Sequence, residues 1–257
     1  MTPTGTTAPQ LRQVETSRAW PWFTEAYDLF RQAPGTWIGM LLIYIIINMA
    51  ASAVHGGSIL TTLFSPVFSA GLILAAHHQA SGDGVKVEHL FAGFSGGQLG
   101  DLIILALLNL AAFLVLGIVG VLIAFLGMGL APDKLIDMDA LFENLLPILL
   151  VVLILIGLYI PVLMGMWLSP ALIVLHKLSP VEAFKTSFKA CTLNFMPLLV
   201  YGLIAIPIAI AATIPFFLGW LIAAPIFTIT IYTAYRDMFP PAPNFDATQP
   251  IPVPPPL

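Results

Sequence analysis

An all-α bundle embedded in a membrane is the fold class this sequence predicts, and three observations predict it. Six stretches are long and apolar enough to cross a bilayer, and eight of the nine Lys and Arg residues fall on one side of them. The composition agrees: 59 % of residues are hydrophobic, 9 % are charged, and the mean hydropathy is +0.97. A helix needs roughly 20 apolar residues to span the hydrocarbon core, and this balance excludes a water-soluble fold of the same length.

Taken in order, residues 1–16 are Thr-rich and polar and read as a disordered tail, without the apolar core or cleavage site of a signal peptide. Residues 17–239 form one transmembrane domain. Its spans, free of Lys, Arg, Asp and Glu, run Thr36 to Val54, Ile59 to Ala76, Leu102 to Leu126, Leu145 to Leu175, Phe195 to Ile214 and Phe216 to Tyr235. The fourth is too long for a straight crossing, because about 46 Å of helix meets about 30 Å of hydrocarbon. Pro161 and Pro170, with Gly157 and Gly165 nearby, mark where it should kink. Before it, Leu135, Met138, Leu141 and Phe142 recur at helical spacing opposite Asp137, Asp139 and Glu143, which predicts a short outer amphipathic helix. Residues 240–257 hold eight prolines and read as a disordered tail of polyproline II character, a soluble terminus rather than a docking ligand.

Charge sets the expected orientation. Arg12, Arg18 and Arg31, then Lys86, then Lys177, Lys185 and Lys189, then Arg236 share one side, whereas Lys134 is the only base opposite. Short loops rich in Lys and Arg stay in the cytoplasm, so both termini are expected there, in an inner-membrane protein. The single cysteine, Cys191, precludes an internal disulfide and reads as a small buried apolar residue on that side.

Order along the chain suggests a threefold internal repeat. Before span five, Ser179 to Cys191 places Val181, Phe184, Phe188 and Cys191 on one helical stripe with Lys185 and Lys189 on another face, as in a helix lying at the membrane surface. Ser179, Pro180 and Glu182 supply a capping box and a first-turn proline. Val87, Glu88, Leu90 and Phe94 repeat those offsets before span three, and the segment around Glu25, Ala26, Tyr27 and Phe30 is a looser copy before span one. Spans two, four and six each carry a proline in similar company, at Pro66, Pro170 and Pro225. Surface helix, span, and returning span with proline thus recur three times.

Chemistry is sparse. No ionisable residue stands at the centre of a span, where one would mark an ion or proton path. Asp101 suits the start of span three as a helix-terminal charge. Asn48 and Asn109 are the most polar residues deep in spans, candidates for interhelical bonding or for the wall of a small cavity. His77, His78, His89 and His176 lack metal-ligand spacing, and Asp133, Asp137, Asp139 and Glu143 lack the pattern of a calcium loop. The string Gly93 to Gly96 matches the GxSG around a rhomboid nucleophile, but no span holds a central histidine to serve as base, so it reads as a glycine turn. Catalytic, cofactor-binding and metal residues are expected to be none. The few basic residues are tied to span ends and exclude a nucleic-acid partner.

The runs PALIVLHKLSPVEAFKTSFKACTLNFMPLL, FSPVFSAGLILAA, HLFAGF and YTAYRDMF resemble a bacterial family of multi-pass inner-membrane proteins of unassigned activity, over most of the chain from Trp20 to Phe239. Ser179, Pro180, Glu182, Ala183, Ser187 and Asn194 also resemble the membrane domain found beside some glycerophosphodiester phosphodiesterases. The chain has no phosphodiesterase domain, so the resemblance implies fold, location and a lipid context but not that activity. The reading that results is a protein without covalent catalysis, a scaffold, assembly factor or binder of lipid-like ligands, with membrane lipids and a membrane protein as partners. A transporter or channel for a small or lipophilic solute is the alternative. The expected lipid or partner surface is Phe91, Phe94, Phe184, Lys185, Phe188 and Lys189; the expected cavity residues are Asn48 and Asn109.

Overall fold

The computed structural model describes residues 9–127 and 144–240, which are helical and contain no strand. The outer amphipathic helix expected around Leu135 to Glu143, the acidic group from Asp133 to Glu143, Lys134 and most of the proline-rich tail lie outside the described residues. The helices are α1 (Ala19–Gln32), α2 (Pro34–Ser52), α3 (Gly57–Ala80), α4 (Ala92–Ser95), α5 (Leu99–Leu122), α6 (Leu145–Trp167), α7 (Ser169–His176), α8 (Pro180–Leu193), α9 (Phe195–Thr213) and α10 (Trp220–Met238). Among the described residues five elements are long and apolar enough to cross a membrane: α2, α3, α5, α6 running on into α7, and α9.

The sixth expected span starts four residues later than Phe216 and continues to Met238 as α10. It has the length to cross, at 19 residues, but polar residues from Thr228 to Asp237 make it less apolar than the other five. Packing explains the composition. Ala223, Pro225, Ile229, Thr230, Tyr232 to Tyr235, Asp237 and Met238 are all buried, so α10 meets protein where the other helices meet lipid, and its threonines and tyrosines find partners there.

The core lies at one end of the bundle. It joins Trp37 and Met40 at the start of α2, Val67 to Ala76 late in α3, Leu102 and Leu105 at the start of α5, Leu168 to Ile173 around α7, and Ile229 to Phe239 late in α10. That end carries the expected surface segments. α1 packs on α10, the 3₁₀ turn Val87–Phe91 and α4 pack on α3, and α8 packs on α6 and α7. Toward the other end Leu114, Leu126, Leu153, Leu203 and Ile214 are exposed, apolar surface that only lipid can cover.

Local sequence explains these contacts. At α8, Ser179 Oγ accepts from the Glu182 N–H (3.4 Å) while Glu182 Oε2 accepts from the Ser179 N–H (3.3 Å), closing the capping box. The long fourth span breaks at Leu168, two residues before Pro170, and the hydroxyl of Ser187 from α8 enters the gap. It accepts from the Leu168 N–H (3.1 Å) and donates to the Met164 carbonyl (2.7 Å), satisfying two groups that a straight helix would have paired. The second surface segment is shorter than expected, a 3₁₀ turn and a four-residue helix rather than a full amphipathic helix. Glycines bring it against α3, where a Cβ on Gly71 would meet the Leu90 carbonyl at 2.3 Å and one on Gly93 would meet the Val67 carbonyl at 2.2 Å.

The residues before α1 are held by hydrogen bonds to distant parts of the chain. Asn194 Oδ1 accepts from the Val14 N–H (2.7 Å), Asn194 Nδ2 donates to the Arg12 carbonyl (3.2 Å), and the Arg12 N–H donates to the Met238 carbonyl (2.9 Å), so residues 11–16 are strapped across α8 and α10.

Gly71→Ala should lower stability by roughly 1–3 kcal/mol, the scale of overpacking against an unyielding neighbour, whereas Gly202→Ala, with open space around it, should be neutral or slightly stabilising. Thermal unfolding of both variants in the same detergent checks the difference.

Candidate functional site

Two polar regions interrupt the apolar bundle. The first is an ionic and aromatic network at the packed end. Arg18 Nε donates to Asp237 Oδ2 (2.7 Å), Arg18 Nη2 to Glu25 Oε1 (2.7 Å), Trp22 Nε1 to Asp237 Oδ2 (2.7 Å) and Arg236 Nη2 to Glu25 Oε2 (2.6 Å). Hydrogen bonding to Asp237, and then to Glu25, pushes the Arg18 guanidinium further above its ordinary range. Each arginine is matched by a carboxylate, and the network ties α1 to α10. Gln79 does the same for α1, α2 and α3, accepting from Trp37 Nε1 (2.8 Å) and donating to the Leu29 carbonyl (2.7 Å).

The histidines join this structural set. His77 pairs with the Tyr232 hydroxyl (3.1 Å), His176 with the Tyr235 hydroxyl (2.6 Å), and His78 stacks on His89 with ring centroids 4.8 Å apart. Burial, with His78 beside it, lowers the pKa of His89. Among the described residues no group of three or more His, Cys, Asp or Glu could hold a metal ion. Ser95 of the GxSG string donates to the Ala92 carbonyl of its own turn (3.3 Å), and Gly93 is there for close packing.

The expected lipid or partner surface divides in two. Phe91 and Phe188 are 42 % and 39 % exposed, and Lys185 and Lys189 are exposed beside Phe188. Phe94 and Phe184 turn inward. Phe94 joins Phe64, Phe68 and Phe91 in an aromatic cluster with centroids 5.3 to 6.4 Å from it, and Phe184 lies on Gly165, where a Cβ would meet its ring at 2.3 Å. Helical periodicity puts both phenylalanines on the apolar stripe of their segments; it does not say that this stripe faces the protein rather than the bilayer.

The second polar region is a recess of about 420 Å³ between α2, α3, α5 and α6, within the roughly 300–1,000 Å³ range of small-molecule sites. It brings together both expected cavity residues, Asn48 and Asn109, and adds Thr61, Thr62, Ser65, Ser69, Tyr44 and Tyr159, which the sequence reading did not single out. A periodic signal was present: Thr61, Ser65 and Ser69 recur every four residues on α3, as Tyr44 and Asn48 do on α2, so each set lines one helix face. Pro66, Leu105, Met166 and Pro170 also line the recess. Beyond them the core begins at Val67, Leu102 and Leu168. α2 and α6 both line the space.

Asn109 bridges helices, its Oδ1 accepting from the Tyr159 hydroxyl (3.3 Å). Asn48 does not; its Nδ2 donates to the Tyr44 carbonyl of its own helix (2.8 Å). Thr61 and Thr62 both donate to the Ser58 carbonyl. No fully buried side-chain nitrogen or oxygen among the described residues lacks a partner. The unpaired side-chain hydrogen-bonding capacity of this region therefore belongs to atoms that are not fully buried.

A probable inner membrane protein of Burkholderia thailandensis is 30 % identical to this chain over 214 residues, covering 79 % of the chain and 78 % of that protein. The chain belongs to the same family. No family model matches it, and no solved structure matches it. The shared identity extends across the membrane domain, so the bundle as a whole, rather than one segment, is what the two proteins have in common.

Proposed function

We propose that this inner-membrane protein binds a lipid-like ligand in the recess between α2, α3, α5 and α6, without covalent chemistry, and presents the exposed edge of α8 to anionic headgroups or to a membrane partner. The recess carries the reading. Hydrocarbon supplies no hydrogen-bond partner, and an unsatisfied polar group there costs several kcal/mol, so a polar cluster of this size needs an occupant. Exposed apolar helix faces around it let such an occupant enter from the bilayer. The absence of any charged side chain among the described residues of its lining argues against coupling to an ion gradient.

The topology we propose has six crossings with both termini cytoplasmic, α10 being the sixth, and three repeated units. Support for the repeat is the order of packing, since each surface segment rests on the returning helix of the preceding unit: the second on α3, the third on α6 and α7, and the first on α10. That arrangement closes on itself in the way three copies around an axis would.

A transporter is the second reading, favoured by the proline-interrupted helices that flank the recess, a construction carriers use near the bilayer midplane. Against it, the recess stops at the packed core, which a carrier would have to open.

Two experiments separate these readings. Purification from native membranes followed by lipid mass spectrometry should find a retained lipid that survives exhaustive detergent washing, and liposomes holding the protein should show no gradient-driven uptake. Coupled flux would establish the transporter instead. For topology, Cys191 itself is a poor probe: it is buried, and burial pushes its thiol up to about 12. In a Cys191→Ala background, Lys189→Cys should label with an impermeant maleimide only in inverted vesicles and Ser58→Cys only in spheroplasts. The reverse pattern overturns the orientation.

A further inference from the structure

Resting on the lipid-binding reading, we propose that the recess selects an uncharged, hydroxyl-bearing headgroup and rejects a phosphate-bearing one. Among the described residues the lining contains asparagine, serine, threonine and tyrosine but no Lys, Arg or His. A phosphate buried there would have no counter-charge, and burying an unpaired anion is far costlier than burying a neutral group that is hydrogen-bonded.

The groups that are present suit a hydroxyl. Pro66 and Pro170 have no N–H to donate to the carbonyls four residues earlier, those of Thr62 and Met166, and both of these residues line the recess, one on α3 and one on α6. Two backbone acceptors, one on each of two helices that line the space, thereby lose the intrahelical donor they would otherwise have. Asn48 Oδ1 adds a third acceptor, since its amide bond to Tyr44 uses only the nitrogen. Donors come from the Asn109 amide, whose oxygen alone is engaged by Tyr159, and from Ser65 and Ser69, which have no protein partner among the described residues. Acceptors and donors are thus interleaved, and a hydroxyl, which both donates and accepts, can satisfy either kind. A phosphate in its ionised form only accepts, so it would leave the freed carbonyls unpaired as well as its own charge.

The test uses the full chain in nanodiscs and three lipids with the same photoactivatable acyl chain: diacylglycerol, monohexosyl diacylglycerol and phosphatidic acid. Crosslinked peptides are then identified by mass spectrometry. The neutral lipids should label peptides of α2, α3, α5 and α6 at least fivefold more than phosphatidic acid does, and the comparison between diacylglycerol and its hexosyl form shows which neutral headgroup is preferred. Asn109→Leu should cut the neutral labelling at least fivefold while elution volume and helicity hold; if that variant does not fold, Ser65→Ala with Ser69→Ala gives the same readout. Equal or stronger recess labelling by phosphatidic acid overturns this inference alone. Undiminished neutral labelling in a folded variant also overturns it, and recess labelling by none of the three overturns the lipid-binding reading together with it.

Discussion

Hydrocarbon offers no partner for a hydrogen bond, and this constraint sorts the polar groups of the protein into two places. At the packed end, polar side chains are paired to one another or to backbone: Arg18 and Trp22 with Asp237, Gln79 with Trp37, Asn194 with the N-terminal strap. In the recess they are left partly open. Almost everything else in the spans is apolar, packed inward at the core end and exposed toward the other. The paired polar groups that hold the bundle together and the partly open ones of the recess therefore occupy different depths of the same bundle.

The packed end depends on short segments that lie across it. α8 shows how such a segment works. Its capping box fixes where the helix starts, its buried Ala183 and Ala190 allow close approach to α6 and α7, and its Ser187 hydroxyl repairs the break at Leu168. Asn194, at its end, then holds the strap. Ser179, Pro180, Glu182, Ala183, Ser187 and Asn194 each have a structural task of this kind. Their pattern specifies how a surface helix is built and seated. Prolines play the opposite part. Pro66 and Pro170 each remove a donor from a helix next to the recess, so the backbone itself contributes acceptors where side chains of either charge would be costly.

Much of the architecture was legible in the sequence, for physical reasons that also mark where legibility stops. Five of the six expected spans appear as helices within a few residues, because the length and apolarity that a bilayer demands are written in every residue of a span. α10 departs from the rule since protein rather than lipid surrounds it; its threonines, tyrosines and Asp237 are affordable only once their partners are known. The same limit applies at Phe94 and Phe184, where an apolar stripe was readable but its direction was not. Asn48 and Asn109 stood out as polar residues at depth, yet their company on α3 was a spacing of small hydroxyl residues that interior packing also produces. The strap at residues 11–16 was invisible because its order comes from a side chain some 180 positions away.

A polar recess enters the bundle and ends at a packed core. Cysteine accessibility along α3 tests that claim most directly, using a small polar methanethiosulfonate on the reconstituted Cys191→Ala protein. Ser65→Cys should react readily and Ser69→Cys more slowly, while Ala70→Cys and Ile73→Cys, at positions fully buried in the core, should stay unmodified until the protein is denatured. Reaction continuing through all four positions would reveal a continuous aqueous path, and silence at Ser65 would remove the recess; either result contradicts the account.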